Sequence, residues 1–282
     1  MTTLKDRVAL ITGAASGIGA ALAVECARLG ADLVLFDRRD RPLRQVAGQV
    51  RALGRQALVQ HGDVVRARDL PRAGAAARRR FGHLDVVVAD AGFEVTGLVE
   101  DLTLADFRRQ FETNVFGVLR TVYATLDDLK RSRGSLVLVG SLLGHLALPG
   151  TAAYAMSKFA VTALAQALRF ELAAAGVSVT LASPGNVATN IRRVDNRNVL
   201  HSQIKDPIPA WLQISPDHAA RSIVRAMIQR RPEVVLTRLA KLAIFTERVA
   251  PALVSEAIKV GHIQGRNEPG RTRRSQVVRV SS

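Results

Sequence analysis

The chain has 282 residues, of which 48% are hydrophobic and 23% charged, and this balance excludes a chain that is disordered throughout. Its formal net charge is +16, but the arginines are scattered without aromatic-rich stretches, so we expect solvated basic faces rather than nucleic-acid binding. Cys26 is the one cysteine, which excludes an intrachain disulfide, and no long uncharged apolar run predicts a membrane-spanning helix. The first residues, "MTTLKDR", lack the apolar stretch of a signal peptide, so we expect a cytoplasmic protein.

Two kinds of segment alternate along the chain. Apolar runs rich in β-forming residues predict strands at Arg7–Thr12, Asp32–Asp37, Gln56–Gln60, Leu84–Asp90, Ser135–Ser141, Val177–Ser183 and Glu233–Leu236. Helical patterns lie between and after them, at Ile18–Gly30, a stretch ending at Leu53, Arg66–Phe81, Leu104–Arg131, Thr151–Ala175, Ser215–Arg230 and Ala240–Val260.

The strands are continuous apolar runs, which is typical of parallel strands that helices cover on both sides. We therefore predict an α/β fold, with a single Rossmann-type, doubly wound parallel sheet of about seven strands and helices on both faces. Ligands of such sheets bind outside the carboxyl ends of the strands, so functional residues should follow the strands.

We expect one domain over residues 1–262. Within it, residues 186–214 are polar and irregular and predict a substrate lid, while residues 239–260 predict a C-terminal amphipathic helix. Beyond it, residues 263–282 are expected to form a basic disordered tail.

The stretch "TGAASGIG" follows the first strand and opens the first helix. Gly13, Gly17 and Gly19 would let the backbone turn tightly and approach a diphosphate, and the helix start adds free N–H groups. Asp37 ends the second strand, where an acid is placed to bind the adenosine ribose and to repel a 2′-phosphate. These features favour NAD, although Arg38 and Arg39 keep NADP open.

Tyr154 and Lys158 stand four residues apart in a predicted helix and so share one face. An ammonium beside a phenol lowers the phenol pKa and makes it a usable acid–base group. Ser141 ends the fifth strand and could hold a substrate oxygen near Tyr154. Asn114 is a poor residue for the middle of a helix, which indicates a kink or a held water.

Together these residues resemble the short-chain dehydrogenase/reductase family over about residues 6–236. "TGAASGIG" resembles the cofactor loop of that family, and Asn114, Ser141, Tyr154 and Lys158 match its four catalytic positions. The resemblance implies that Tyr154 is the general acid or base and that Lys158 lowers its pKa and holds the nicotinamide ribose. It also implies that Ser141 orients the substrate oxygen and that Asn114 helps to hold a water in a proton relay.

The resemblance implies a nicotinamide cofactor, NAD being favoured over NADP, and no metal. Asp63 matches the adenine contact, and Val187 and Thr189 match positions beside the carboxamide. The full set that we predict to bind the cofactor is Gly13, Ser16, Gly17, Ile18, Gly19, Asp37, Arg38, Asp63, Val64, Ala91, Gly92, Tyr154, Lys158, Pro184, Gly185, Val187 and Thr189. One departure is Asp90 in "ADAG", where the family has an Asn, which adds a charge and removes an amide donor.

The substrate is expected to be a secondary alcohol or ketone, held by Ser141, Leu143 and Tyr154. Residues after strands four to six should line its pocket, and most of them are apolar, which favours a steroid-like, terpenoid or long-chain compound. The predicted lining is Phe93, Val95, Leu142, Leu143, Leu146, Leu148, Val187 and Ile191. A substrate contact for His145 and a polar substrate end under the lid remain open.

Small residues on the helix from Thr151 permit close packing by a second subunit, and the family usually forms dimers or tetramers, so we expect a homo-oligomer. The C-terminal helix either packs on protein or rests on a membrane surface. The alternative to an enzyme is a cofactor-sensing or scaffold protein that keeps the fold without turnover.

Overall fold

The structure, a computed structural model, describes residues 3–197, 199–201 and 203–260. In these residues, seven parallel strands form one sheet: β1 Val8–Thr12, β2 Asp32–Asp37, β3 Ala57–His61, β4 Val86–Ala89, β5 Ser135–Val139, β6 Ser178–Ser183 and β7 Glu233–Val235. The helices are α1 Gly17–Arg28, α2 Asp40–Ala52, α3 Asp69–Phe81, α4 Leu104–Phe111, α5 Gly117–Ser132, α6 Ala152–Glu171, α7 Pro216–Ile228, α8 Arg238–Val249 and α9 Pro251–Val260.

The strand order is β3-β2-β1-β4-β5-β6-β7. The chain therefore moves outward from β1 in one direction through β3 and then crosses back to β4, which creates a crevice between the carboxyl ends of β1 and β4. Thr12 pairs with Phe36 on one side and with Ala89 on the other. Loops that follow β1, β2 and β4 consequently meet at one edge.

Apolar residues on the two faces of the sheet pack into two separate layers of core. One layer is built with α1, α2 and α7, and the other with α3, α5 and α6. Strands β1 to β6 contribute to both layers in alternation, as Ile11 and Leu10 do on β1. The predicted doubly wound α/β fold is confirmed.

The predicted single helix over 104–131 is interrupted by one π-helical stretch, Glu112–Phe116, which joins α4 to α5. Asn114 lies within it, so the local kink expected at this asparagine is present. A capping box fixes the start of α4, where Thr103 and Asp106 bond each other's backbone N–H groups.

The expected single helix over 239–260 is wrong, because the chain forms α8 and α9 with a break at Ala250. Pro251 has no N–H to continue α8, but it is favoured at the first position of a new helix, α9. Among the described residues, no helix is both long and apolar enough to cross a lipid bilayer. The predicted tail, 263–282, lies outside the described residues, as do residues 261 and 262.

The predicted lid contains two short 3₁₀ turns, Asn190–Arg193 and Ala210–Leu212. Its base is fastened by a bridge between Val187 and Ile214. Inside it, the buried guanidinium of Arg192 binds both carboxylate oxygens of Asp206, at distances of 2.6 to 3.0 Å. This bidentate pair holds the two halves of the lid together.

Candidate active site

Helix α6 places Tyr154 and Lys158 on one face beside the carboxyl end of β5. Both residues are buried, at 8% and 6% exposure. The Nζ of Lys158 donates to the carbonyl oxygen of Val139 at 2.8 Å and lies 5.7 Å from the centre of the Tyr154 ring. The two groups therefore share one compartment, as the four-residue spacing predicts.

The environment of Lys158 brings its titration close to neutral pH. Burial lowers the pKa of Lys158 to about 8, while the carboxylates of Asp90 and Glu94 act in the opposite direction. The ammonium form still predominates at pH 7, so a positive charge lies close to the phenol. Glu94, 4% exposed, is a charged residue of the site that sequence reasoning missed.

Ser141 lies two residues after the end of β5 and is buried. It caps the 3₁₀ turn Leu142–Gly144, and its Oγ accepts from the N–H of Leu143 at 3.1 Å. That bond uses one lone pair of the hydroxyl and leaves its proton to be directed elsewhere. Because Leu143 packs against Tyr154, the turn also fixes Ser141 relative to the phenol.

Asn114 is 1% exposed and is held by three hydrogen bonds. Its Oδ1 accepts from the N–H of Phe93 at 3.1 Å, and its Nδ2 donates to the carbonyl of Phe93 at 3.0 Å and to Ser157 Oγ at 3.1 Å. Ser157 Oγ in turn donates to the Tyr154 carbonyl at 2.7 Å. Asn114 thus joins the loop after β4 to α6, whereas its expected role in holding a water stays a prediction.

The loop after β1 has the shape of a diphosphate cradle. Gly13 adopts a φ of +73°, and a Cβ there would lie 2.9 Å from Ala91 Cα. A Cβ at Gly19 would collide with the Gly13 carbonyl and lie 2.7 Å from Asp90 Oδ2. Glycine is therefore required at both positions. Helix α1 begins at Gly17, and its N-cap Ser16 makes no side-chain capping bond within the described residues. The backbone N–H groups in the first turn of α1 therefore suit an anion.

Asp37 ends β2 beneath this loop and is 6% exposed. Its carboxylate accepts from the N–H groups of Ala15 at 3.1 Å and Arg39 at 2.9 Å, and from the Arg39 guanidinium at 3.2 Å. Arg39 also donates to Ser16 Oγ at 2.9 Å. The arginine that lies against the loop is therefore Arg39, which the predicted cofactor set omits; Arg38 is exposed, with its carbonyl bonded to His61.

The other predicted cofactor residues line the same edge of the sheet. After β3, Asp63 is partly buried, its Oδ1 accepts from the Val65 N–H at 3.2 Å, and Val64 packs against Gly117 of α5. After β4, Ala91 and Gly92 lie beside Gly13 and Asn114. After β6 come Pro184, Gly185, Val187 and Thr189, and Thr189 lies 3.3 Å from the position of a Cβ on Gly17. Ile18 packs against the core below the loop.

Asp90 occupies the crevice between the cradle and Lys158. Thr12 Oγ1 accepts from the N–H groups of Asp90 and Ala91, both at 3.2 Å, which ties β4 to β1 without an asparagine amide. Burial raises the pKa of Asp90 to about 7, the ammonium of Lys158 and the Gly19 N–H lower it, and the carboxylate of Asp37 raises it further.

The residues predicted to line the substrate pocket lie in different buried clusters and in the lid. Leu143 and Leu146 pack with Tyr154, and Leu142, Leu148 and Ala243 of α8 border them. Phe93 and Val95 belong instead to a separate buried cluster with Ala153, and Val187 packs in the core layer of α1. These three residues are buried in clusters other than that of the leucines, so a pocket lined by all of them stays a prediction. Ile191 lies in the first lid turn and is partly buried.

His145 makes structural contacts. Its Nε2 lies 2.9 Å from Ser183 Oγ and 3.1 Å from Glu233 Oε1, and the ring is buried.

A separate pocket of about 420 Å³ lies under the lid, and its polar lining includes two cations. The pocket is lined by Ala188, Thr189, Asn190, Arg193, Gln203, Ile204, Lys205, Asp206 and Gln213.

Comparison with known proteins identifies this arrangement. The sequence model of the family described as short chain dehydrogenase matches residues 7–199. Dehydrogenase/reductase SDR family member 7B of Bos taurus is 31% identical over 89% of this chain and 79% of its own length. The glycine betaine reductase ATRR of Emericella nidulans is 33% identical over 82% of this chain, which spans 18% of that longer protein.

Solved structures show the same architecture. An alcohol dehydrogenase from Thermococcus sibiricus, complexed with 5-hydroxy-NADP, superposes with a TM-score of 0.72 and 30% identity, over 82% of this chain and 95% of that one. A short chain dehydrogenase/reductase from Burkholderia phymatum in complex with NAD gives a TM-score of 0.79 over 97% and 100% of the two chains. At 24% identity, the latter likeness concerns the fold alone.

Proposed function

Because this chain belongs to the short-chain dehydrogenase/reductase family of oxidoreductases, we propose that it transfers hydride between a nicotinamide dinucleotide and a secondary alcohol or ketone. The observation that carries the proposal is the buried pair Tyr154 and Lys158, whose Nζ lies 5.7 Å from the phenol ring. The glycine cradle of residues 13–19 supports it, because the start of α1 and the close backbone contacts at Gly13 and Gly19 suit a diphosphate.

The residues of the site have separate tasks in this mechanism. When bound, the cofactor supplies the carbon that accepts or delivers hydride. Tyr154 takes the proton from the alcohol oxygen during oxidation and returns it during reduction. Lys158 stabilises the phenolate by its charge, and Ser141 donates a hydrogen bond to the substrate oxygen. Asn114 holds α6 and the loop after β4 at a fixed distance through Ser157 and Phe93.

We propose NAD as the preferred form of the cofactor. Asp37 is buried at the end of β2, and its carboxylate is held toward the cradle by the Ala15 N–H. That charge would accept hydrogen bonds from a free ribose and repel a 2′-phosphate. Arg39 works against this preference, because its guanidinium lies between Asp37 and Ser16 and would attract a phosphate.

We propose a hydrophobic substrate, such as a steroid-like, terpenoid or long-chain compound. Support comes from the apolar surroundings of Tyr154, which shares a buried cluster with Leu143 and Leu146, with Ala243 of α8 packed against that cluster. The polar pocket under the lid gives room for a polar substrate end near Arg193 and Lys205.

We propose a homodimer or homotetramer formed through the outer faces of α5 and α6. Support comes from large apolar side chains that these helices leave exposed, Tyr123, Met156, Phe159 and Phe170. Phe116, at the end of the π-helical stretch before α5, is exposed as well. Light scattering on the purified protein tests the assembly, and Phe159→Glu should shift it toward monomer. An unchanged mass in that variant would count against this interface.

We also propose that α8 rests on an anionic membrane surface. Its outer face exposes Leu239, Leu242, Phe245 and Val249, and the cations Arg238, Lys241 and Arg248 accompany them. Sedimentation with vesicles of neutral or anionic phospholipid tests this proposal. Binding to anionic vesicles that Phe245→Asp abolishes would support it, whereas no binding to either would contradict it.

A cytoplasmic location is proposed for the protein. Its single thiol, Cys26, is fully buried, and burial raises the pKa of that thiol to about 12, so the fold depends on no disulfide.

A panel of lipophilic secondary alcohols and ketones tests the function, with NAD and NADP in parallel and the nicotinamide absorbance as readout. The proposal predicts turnover of at least one hydrophobic pair, with a higher kcat/KM for NAD. Cofactor binding without turnover across the panel would instead favour the alternative, a cofactor-sensing or scaffold protein.

A further inference from the structure

Asp90 brings a carboxylate to the underside of the diphosphate cradle. It directly follows β4, and its backbone is fixed because Thr12 Oγ1 accepts from its N–H at 3.2 Å. Its Oδ2 lies 2.7 Å from the position that a Cβ on Gly19 would occupy, so the oxygen touches the first turn of α1. The carboxylate of Asp90 therefore lies next to the place where a charged ligand would enter the crevice.

The charged and polar groups that act on Asp90 and on its partner Lys158 lie on β2, α1, α6 and the loop after β4. Lys158 of α6 attracts its carboxylate, and Asp37 of β2 repels it. Glu94, in the same loop, acts on Lys158 rather than on Asp90. From α1, the Gly19 N–H stabilises the ionised form. The buried cation of Lys158 is therefore shared between Asp90 and Glu94 before any cofactor is present.

We propose that Asp90 takes up a proton when the dinucleotide binds, so that cofactor affinity falls as pH rises through neutrality. This inference rests on the proposed function, since it concerns the affinity of the same cradle for its cofactor. The proton moves from solvent to an Asp90 oxygen, and no other bond forms or breaks.

Electrostatic repulsion between the cofactor and the Asp90 carboxylate is the reason for the proton uptake. The cofactor would bring a diphosphate of two negative charges to the N–H groups at the start of α1, whose residue Gly19 lies against Asp90. An ionised carboxylate there repels the diphosphate, and a protonated one does not. Burial already raises the pKa of Asp90 to about 7 in the free protein, and a bound diphosphate would raise it further. Tighter binding is therefore expected below neutral pH, where the carboxyl holds its proton.

Lys158 titrates in a neighbouring range and has to be separated from Asp90. Burial lowers the pKa of Lys158 to about 8, and loss of its charge would also weaken binding of an anionic cofactor. Asp90→Asn is isosteric and removes only the Asp90 proton. Combined with Lys158→Met, the same substitution removes the Asp90 carboxyl from a protein in which residue 158 no longer titrates. The wild type and Asp90→Asn form one pair, and the two variants with Lys158→Met form the other. Because the members of each pair differ only at Asp90, their comparison gives the effect of the Asp90 carboxyl.

The test measures NAD affinity by calorimetry between pH 6 and 8.5, in buffers of different ionisation enthalpy, with the full chain. We expect the Kd of the wild type to rise about tenfold over this range, with proton uptake near pH 7.5. The rise should move to higher pH in the Lys158→Met variant, where Asp90 keeps its carboxyl but loses the cation that lowers its pKa, and vanish in the Asp90→Asn/Lys158→Met variant.

Two results would overturn the inference. A wild-type Kd that stays constant with pH, together with no proton uptake, would overturn it while leaving the proposed function intact. Failure of the wild type to bind NAD or NADP at any pH would remove the proposed function and this inference together. Should the variants with Asp90→Asn not fold, proton uptake by the Lys158→Met variant at a higher pH than in the wild type still decides the question: its presence supports the inference and its absence overturns it.

Discussion

The Nζ of Lys158 lies 5.7 Å from the centre of the Tyr154 ring and donates to the Val139 carbonyl at 2.8 Å. The carbonyl fixes the ammonium at the carboxyl end of β5, so its charge acts on the phenol from a set position. The proposed chemistry depends on this relationship more than on any other in the molecule.

Replacing Lys158 with Met should lower kcat/KM for alcohol oxidation at pH 7 by roughly a hundredfold or more, because the phenolate loses its nearest cation. In the wild type, the pKa of Lys158 is lowered to about 8, so the ammonium is lost above that pH and the rate should fall. Lys158→Met should lack this alkaline decline. Lys241→Met, at an exposed lysine of α8, serves as the control and should behave like the wild type; a matching loss there would contradict the assignment.

Asn114→Ala should lower both stability and turnover. It leaves the N–H of buried Phe93 without its partner, at a cost of about 1–3 kcal/mol. The Phe93 carbonyl keeps its bond from Gln110, and Ser157 Oγ keeps its bond to the Tyr154 carbonyl. We expect the thermal midpoint to fall by several degrees. Asn190→Ala, at an exposed asparagine, should leave it within about one degree. Equal midpoints for the two variants would show that the bonds of Asn114 do not hold the loop to α6.

Asp37→Ala should change the choice of cofactor. Without the carboxylate, a 2′-phosphate is no longer repelled and the Arg39 guanidinium is released from its partner. We expect the ratio of kcat/KM for NADP over NAD to rise at least about tenfold. Adding Arg39→Ala should reverse most of that gain, whereas Arg38→Ala should not, since Arg38 lies on the outside. An unchanged ratio in Asp37→Ala would contradict the proposed ribose contact.

Asp90→Asn should stabilise the protein without cofactor, and more strongly at higher pH. The pKa of Asp90 is raised from 3.8 to about 7, so between these values the unfolded chain holds fewer protons than the folded one. Wild-type stability therefore falls as pH rises from about 4 to 7, and an asparagine does not share this loss. Thermal midpoints should differ by a few degrees at pH 8 and less at pH 5. A larger gain at pH 5 than at pH 8 would contradict the sign.

Much of the fold was predictable because its signals are local. Continuous apolar runs such as "LDVVVAD" leave a strand no exposed face, and alternation with helical stretches then selects a doubly wound parallel sheet. The glycine loop and the Tyr154–Lys158 spacing were equally visible, since both depend on neighbours in sequence. Asn114 was visible as a misfit in a helix, and it lies in the π-helical stretch.

One local signal was missed, and features set by distant contacts were not predictable. The amphipathic pattern continues across Pro251, so the break between α8 and α9 was missed although the proline signals it. Arg38 and Arg39 look alike in sequence, and only the turn after β2 decides which one reaches Ser16. Phe93 and Val95 are as apolar as Leu143, but tertiary packing encloses them with Ala153. The effect of Asp90 depends on Gly19 and Lys158, which are remote in sequence.

Tyr154→Phe tests the central claim most directly, because it removes one hydroxyl and keeps the ring that packs on Leu143 and Leu146. The measurement is turnover of the best alcohol or ketone substrate, with cofactor affinity determined on the same sample. We predict that turnover falls by at least about a thousandfold while the Kd for the cofactor changes less than about threefold. Turnover equal to that of the wild type, with cofactor binding retained, would contradict proton transfer by Tyr154.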